Sequence, residues 1–247
     1  MMSARDRPAL GAPLAGLAQL FGPRTSLGAA MATTPLDFDR LRNAHQSPGK
    51  AVYQACAGEV FPFDALAFAV LERSLSLIKG FELLMANGGY MSAVALLRLQ
   101  LDNIIRFHGV ARSGDPHGVT DRVFRGESLR KIKDRFGKKM TDAYLVEVMT
   151  DANPWMKSVY EHASGYIHLS NHHVRHFIAR SETGADGLRR FAIGDDDVYV
   201  LEDQREKLLQ AFHTTTEGVV RLVAAWPQVR ISHGTNEQLK QRFKSAL

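Results

Sequence analysis

The sequence predicts an all-α protein, an up-and-down bundle of about four to five main helices that carries one small β-hairpin. Long stretches place apolar residues three and four positions apart, the period of a helix with one buried face. Gly, Asn and Pro stand between these stretches and end helices. Nothing repeats at a fixed period, which argues against a solenoid. Such amphipathic helices bury their apolar faces against one another as a bundle.

Two adjoining stretches form the expected centre of this bundle. Residues 63–86 carry an apolar stripe and end at the helix-stopping sequence NGG. A second helix, over about residues 91–112, is the most apolar in the chain, and its border carries Arg98, Asp102 and Arg106. This charged row is interpreted either as a stabilising i, i+4 ladder or as a row in which one arginine faces a later helix and helps to bind an anion.

That later helix is predicted over residues 153–176, because Asn153 and Pro154 form a typical N-cap and first-turn pair. Four polar side chains recur four residues apart along one side of it: Tyr160, Ser164, His168 and His172. Their hydroxyls and imidazoles are suited to meeting a ligand or a charged partner on a facing helix. We therefore expect this row to form one wall of a site.

The remaining segments complete the expected organisation. Residues 1–47 are rich in Ala, Gly and Pro and are expected to be disordered or loosely attached, contributing little to the fold. Either a targeting peptide or a true start at Met31 fits the first 30 residues. The bundle domain is expected over residues 48–230, and residues 231–247 form a polar tail, either a short helix or disorder.

Three smaller elements are also expected within the bundle domain. Residues 128–136 are predicted to form a short basic helix, interpreted as a solvated face or as a footprint for RNA or DNA. A β-hairpin is predicted from residues 177–180 and 190–193, which flank the turn TGADG. A last helix is expected from about Glu202 to Trp226, because Pro227 stops it.

Composition narrows the function only slightly. The net charge of +5 permits contact with polyanions, but 31 basic against 26 acidic residues is a mild excess. The single cysteine, Cys56, excludes an intramolecular disulfide and a Cys-based zinc cage and favours the cytoplasm. No run of about 18 apolar residues predicts a membrane span.

Three segments together, RSLSLIKGFELL, ALLRLQLDNIIRFHG and YEHASGYIHLSNHH, resemble an uncharacterised group of bacterial all-α proteins. That group is similar in architecture to the HEPN (higher eukaryotes and prokaryotes nucleotide-binding) superfamily. The resemblance implies a helical bundle used in phage defence, toxin–antitoxin pairs or RNA processing, with metal-independent RNA cleavage in the active members. Those members carry Arg and His separated by four to six residues, a spacing found here in RSGDPH, from Arg112 to His117.

Metal-independent cleavage of RNA needs a general base and a group that stabilises the phosphorane. We expect Arg98 and His168 to be this catalytic pair, with the ligand bound by Asp102, Arg106, Tyr160, Ser164 and His172. No cofactor is expected, and a metal held by His108, His168 and His213 is a minor alternative. The expected ligand is RNA or a nucleotide. The rival hypothesis is a non-catalytic protein-interaction module, and a protein partner or a homodimer is left open.

Overall fold

The computed structural model describes residues 37–179, 181–191, 193–194 and 202–243. The all-α class and the small two-stranded sheet are confirmed, and the described residues contain more helices than the four or five expected. The helices are α1 (Phe38–Ala44), α2 (Gln46–Cys56), α3 (Pro62–Ala86), α4 (Tyr90–Ala111), α5 (Pro116–Phe124), α6 (Asp142–Thr150), α7 (Trp155–Ser164), α8 (Asn171–Ala179), α9 (Glu202–Val229) and α10 (Asn236–Phe243). Short 3₁₀ turns span Leu129–Lys131 and Arg230–His233.

The long helices α3, α4 and α9 pack together at the centre of the fold, as their apolar stripes predict. Phe63, Ile104 and Val223 lie in one buried cluster, which α5, α6 and α7 cover. A second cluster at the other end of α3 holds Phe81 and Phe212, whose rings stack 3.8 Å apart. The centre of α4 is therefore buried, and its polar border faces α6 and α7.

The packed domain begins earlier than residue 48. Helix α1 buries Leu41, which is 2% exposed, and His45 makes hydrogen bonds with the Leu41 carbonyl and the Ser74 hydroxyl. Residues 38–47 are therefore part of the bundle, while residues 1–36 lie outside the described part of the chain. The tail is also partly packed, since α10 buries Leu239.

The helix predicted over residues 153–176 is two helices, α7 and α8, separated by residues 165–170. Gly165 lies at the break, where the His172 ring folds so closely over it that a Cβ there would come within 2.5 Å of the ring. Ser170 closes the turn by donating to the Gly165 carbonyl at 2.6 Å. Asn153 does not cap α7 with its side chain, which donates instead to the Met149 carbonyl of α6.

Three further expectations need correction. The hairpin is formed by Glu182–Thr183 and Arg189–Arg190, paired antiparallel, while residues 177 and 178 belong to α8. Helix α9 continues past Pro227 to Val229, so the proline lies inside its last turn and does not end it. Residues 128–136 do not form a helix beyond the 3₁₀ turn. They continue into a loop closed by a bridge between residues 133 and 139, with Ile132 and Met140 buried beneath it.

Within the described ranges, no helix is both long enough and apolar enough to cross a membrane.

Candidate functional site

Arg98 of α4 faces the polar row of α7, as one interpretation of the sequence anticipated. Its Nε donates to the Ser164 hydroxyl at 3.0 Å, and its Nη2 donates to the Tyr160 hydroxyl. The guanidinium also lies 3.8 Å from the centre of the Tyr160 ring, a cation–π distance. Burial raises the pKa of Tyr160 against the opposing effect of Arg98, so that the phenol is protonated at neutral pH. Arg98 therefore ties α4 to α7.

Asp102 and Arg106 continue from Arg98 in a line of alternating charges. Asp102 accepts from Arg98 Nη1 at 3.3 Å and lies 2.9 Å from Arg106 Nε. Arg106 reaches Asp142 of α6 at 3.1 Å, and Arg130 lies 4.0 Å from the same carboxylate. We call these five residues the charge line. The arginine side chains become more exposed along it, from 12% for Arg98 to 43% for Arg106 and 66% for Arg130.

His168 does not join this arrangement. Helix α7 ends at Ser164, so His168 lies in the following turn with its side chain exposed, and the expectation that it shares a helix face with Tyr160 and Ser164 is wrong. In the described part of the chain no hydrogen bond links it to Arg98 or Asp102. The three guanidinium nitrogens of Arg98 already donate elsewhere. The expected catalytic pair is therefore not assembled.

His172 belongs to a cluster of rings at the start of α8. It stacks on Tyr166, with ring centres 5.2 Å apart, and its edge meets His162 at 5.4 Å. Burial and the neighbouring His172 lower the pKa of His162. Among the described residues, no three His, Cys, Asp or Glu side chains are grouped to hold a metal ion, so the set of His108, His168 and His213 is not found as a site.

The two ends of RSGDPH serve different parts of the structure. His117 is 0% exposed, and its Nδ1 accepts from the Phe63 backbone N–H at 3.2 Å. Burial lowers the pKa of His117 to about 4, so the ring is neutral. Arg112 instead lies over the Phe136 ring at 5.5 Å. The spacing of Arg and His therefore does not create a joint site here.

Residues 128–139, which we call the basic loop, display charge on a fixed backbone. The Asp134 carboxylate accepts from the Phe136 and Lys138 backbone N–H groups and from the Tyr144 hydroxyl. Phe136 is 59% exposed, with the Arg135 guanidinium 4.7 Å from its ring. Six basic side chains of the loop are exposed: Arg130, Lys131, Lys133, Arg135, Lys138 and Lys139.

An open cleft of about 450 Å³ adjoins the basic loop. Its walls come from the turn between α4 and α5, from α5, from the basic loop and from α10. Four basic and two acidic side chains line it: Arg122, Arg125, Lys133, Arg242, Asp115 and Asp121. Sequence analysis missed this cleft, because α10 is brought to α5 only by the fold. The density of basic residues from 122 to 139 was the available signal.

A second feature that the sequence did not reveal is a buried ion pair. Asp64 is fully buried and accepts from Arg230 Nε at 3.0 Å and from Trp226 Nε1 at 2.7 Å. The arrangement joins the start of α3 to the end of α9. Since all its partners are interior, we interpret it as structural.

Comparisons with models of protein families, with curated proteins and with solved structures found no match for this chain. The resemblance to HEPN-like proteins therefore stays an expectation, and the function has to be argued from the site.

Proposed function

We propose that the protein binds single-stranded RNA through the basic loop and the exposed end of the charge line. The observation that carries the proposal is Phe136, an exposed aromatic ring on a loop rich in basic side chains, with the guanidinium groups of Arg112 and Arg135 5.5 and 4.7 Å from its centre. A cationic surface with an aromatic platform is the usual means of binding an unpaired nucleic acid strand.

The charges of the loop support a polyanionic ligand. Six exposed basic side chains stand in its twelve residues. The carboxylate of Asp134 is buried and accepts hydrogen bonds from the loop backbone.

 Within residues 128–139, Asp134 is the one acidic residue of the sequence. The basic side chains are therefore not neutralised from within the loop. Binding of phosphates to such a surface releases counterions and gives most of the affinity of non-specific nucleic-acid binding.

The expected site residues take different parts in this proposal. Arg106 and Arg130 are exposed enough to reach a phosphate, while Asp102 and Asp142 hold them in place. Arg98, the buried end of the charge line, donates to Tyr160 and Ser164 and so holds α4 against α7. Binding has support from geometry, whereas cleavage by Arg98 and His168 has none, and a role in defence or in a toxin–antitoxin pair rests on the resemblance alone. The single cysteine favours the cytoplasm as the compartment.

The test is the affinity for a fluorescent single-stranded RNA of roughly 12 nucleotides, a length within the usual range of one binding module. Phe136→Ala should weaken binding about tenfold, since stacking of a base contributes about 1–3 kcal/mol. Replacing Lys138 and Lys139 together by Ala should weaken it at least as much. Lys50→Ala, an exposed lysine of α2 away from the loop, is the control for loss of charge and should have little effect.

Recovery of intact RNA in the presence of a chelator, measured in the same samples, tests cleavage separately. The proposal fails if the wild-type protein does not bind the RNA, or if Phe136→Ala and Lys50→Ala bind equally well. Loss of RNA with wild type but not with His168→Ala would restore the catalytic interpretation.

One observation favours protein interaction as a second candidate function. Among the described residues from 167 to 193, eight large apolar side chains are exposed, five of them by half or more: Leu169, Val174, Leu188, Phe191 and Ile193. Exposed apolar side chains concentrated in one segment are typical of interaction surfaces. Light scattering of wild-type protein and of Phe191→Ser tests self-association, and a wild-type monomer at all concentrations would exclude the homodimer.

A further inference from the structure

The cleft beside the basic loop differs from the loop itself, because it is concave and carries both charged and apolar side chains. We infer that it binds a terminal phosphate monoester of the nucleic acid chain. The inference rests on the proposed RNA binding, and it names the kind of RNA end that the same face would select.

The charge of the cleft fits such a group. Its four basic and two acidic lining side chains leave an excess of two positive charges, and the Glu127 carboxylate paired with Arg122 offsets one of them. A phosphodiester within a chain carries a single negative charge, whereas a phosphate monoester carries about −1.5 to −2 at neutral pH. Because the cleft is positively charged overall, it attracts the more highly charged phosphate of a chain end more strongly than an internal linkage.

Hydrogen-bond donors remain available around the cleft. Lys133 has no ion-pair partner in the described part of the chain, so its ammonium group is free to meet an oxyanion. Arg125 contacts Asp121 through Nε, and Arg122 contacts Glu127 through Nε and Nη2, which leaves N–H groups on both guanidiniums. Ser113 accepts from the Asp115 backbone N–H through its hydroxyl oxygen and keeps its proton for donation. A phosphate with three terminal oxygens uses several donors at once.

Size and position complete the argument. A volume of about 450 Å³ lies within the range of small-ligand sites and is suited to about one nucleotide. Val119 and Phe243 supply apolar contacts for a base or a sugar. Lys133 belongs both to the basic loop and to the wall of the cleft, so a strand lying on the loop reaches the cleft directly.

The experiment compares RNAs of one sequence that end in a 5′-phosphate, a 3′-phosphate or hydroxyl groups only, bound to wild-type protein, Lys133→Ala and Lys131→Ala. The two lysines are both exposed on the same loop, and only Lys133 lines the cleft, so the variants are matched in charge. Wild-type protein should bind at least one phosphorylated RNA about tenfold more tightly than the hydroxyl-ended RNA. Lys133→Ala should remove this preference, whereas Lys131→Ala should weaken all three RNAs alike and keep it.

Titration with AMP, a free phosphate monoester, gives a separate readout. Equal wild-type affinity for all three RNAs would overturn the inference, although RNA binding itself would stand. A preference for phosphorylated RNA that survives in Lys133→Ala would also overturn it, because the phosphate would then bind outside the cleft. If no RNA binds, the proposed function fails. AMP binding that Lys133→Ala abolishes would then assign the cleft to a free mononucleotide, and absence of AMP binding would overturn the inference as well.

Discussion

Arg98 illustrates how one side chain connects two helices that are far apart in sequence. Its three guanidinium nitrogens reach Ser164, Asp102 and Tyr160, and its flat face covers the Tyr160 ring. A lysine has neither the planar fork nor the stacking face, so it cannot reproduce these contacts. Because the pair with Asp102 is mostly buried, removal of the arginine leaves a carboxylate with one partner fewer in a poorly solvated place.

We therefore expect Arg98→Ala to lower the free energy of unfolding by about 2–3 kcal/mol, through lost hydrogen bonds and a weakened ion pair. His168→Ala should change it by less than about 0.5 kcal/mol, because that ring is exposed. Urea denaturation of both variants at neutral pH measures the two values. Similar losses of unfolding free energy for both variants would contradict this expectation and would mean that the His168 side chain makes a stabilising contact.

Buried histidines give the protein a dependence on pH, and His108 and His117 have the most strongly lowered pKa values. Burial lowers the pKa of His108 to about 3 and that of His117 to about 4, whereas both titrate near the ordinary value of 6.5 in the unfolded chain. Between these values the unfolded chain binds protons that the folded protein does not. The stability is therefore complete above about pH 6.5 and is lost as the pH falls toward 4, by up to about 1.4 kcal/mol per pH unit for each histidine.

His108→Leu tests this, because His108 Nδ1 is buried without a hydrogen-bond partner and an apolar side chain suits its place. Urea denaturation at several values between pH 7 and pH 5 should show a steep fall in stability for the wild type. The variant should lose part of that slope, because the lowered pKa values of His45, His117, His162 and His233 contribute the rest. An unchanged slope would show that other groups cause the dependence on pH.

At the scale of elements, the long helices were predictable and the breaks between the short ones were not. The stripes of α3 and α4 fixed those helices to within a residue or two, since their burial follows directly from the period of the sequence. The end of α7 depends on Gly165 and on the ring of His172 that folds over it, a contact between different helices. The basic loop is held by the buried side chains of Ile132 and Met140 and by the Asp134 carboxylate. The spacing of these residues along the sequence does not follow the period of a helix.

The short helices α1 and α2 give a prediction about the N-terminus. A chain that begins at Asp37 should keep the melting temperature of the full-length protein. A chain that begins at Ala51 loses the buried Leu41 and the hydrogen bonds of His45, and should melt about 10 °C lower, given about 2–4 °C per kcal/mol for a domain of this size. Thermal unfolding followed by circular dichroism distinguishes the two. Equal melting temperatures would support the expectation that residues 1–47 contribute little.

At the scale of the whole molecule, the candidate site was predictable where its residues lie on two facing helices. Arg98 and the row of Tyr160 and Ser164 met as the four-residue spacing suggested, because each stays on a regular helix. The cleft was not predictable, since Asp115 and Arg242 come together from positions 127 residues apart. The buried pair of Asp64 and Arg230 is separated by 166 residues for the same reason. Long-range contacts of this kind leave no periodic signal.

Charge and stacking make separable contributions to the proposed RNA binding, and salt distinguishes them. For a single strand, the logarithm of affinity falls with the logarithm of salt concentration by about 0.7 for each phosphate neutralised, so four to six contacts give a slope of roughly −3 to −4. Replacing Lys138 and Lys139 by Ala should make the slope shallower by about 1 to 1.5. Phe136→Ala should lower the affinity at every salt concentration and leave the slope unchanged, because a stacked ring releases no counterions. Fluorescence anisotropy over a salt series measures both quantities. A slope near zero for the wild type, or one that Phe136→Ala changes as much as the lysine variant does, would contradict an electrostatic surface with an aromatic platform.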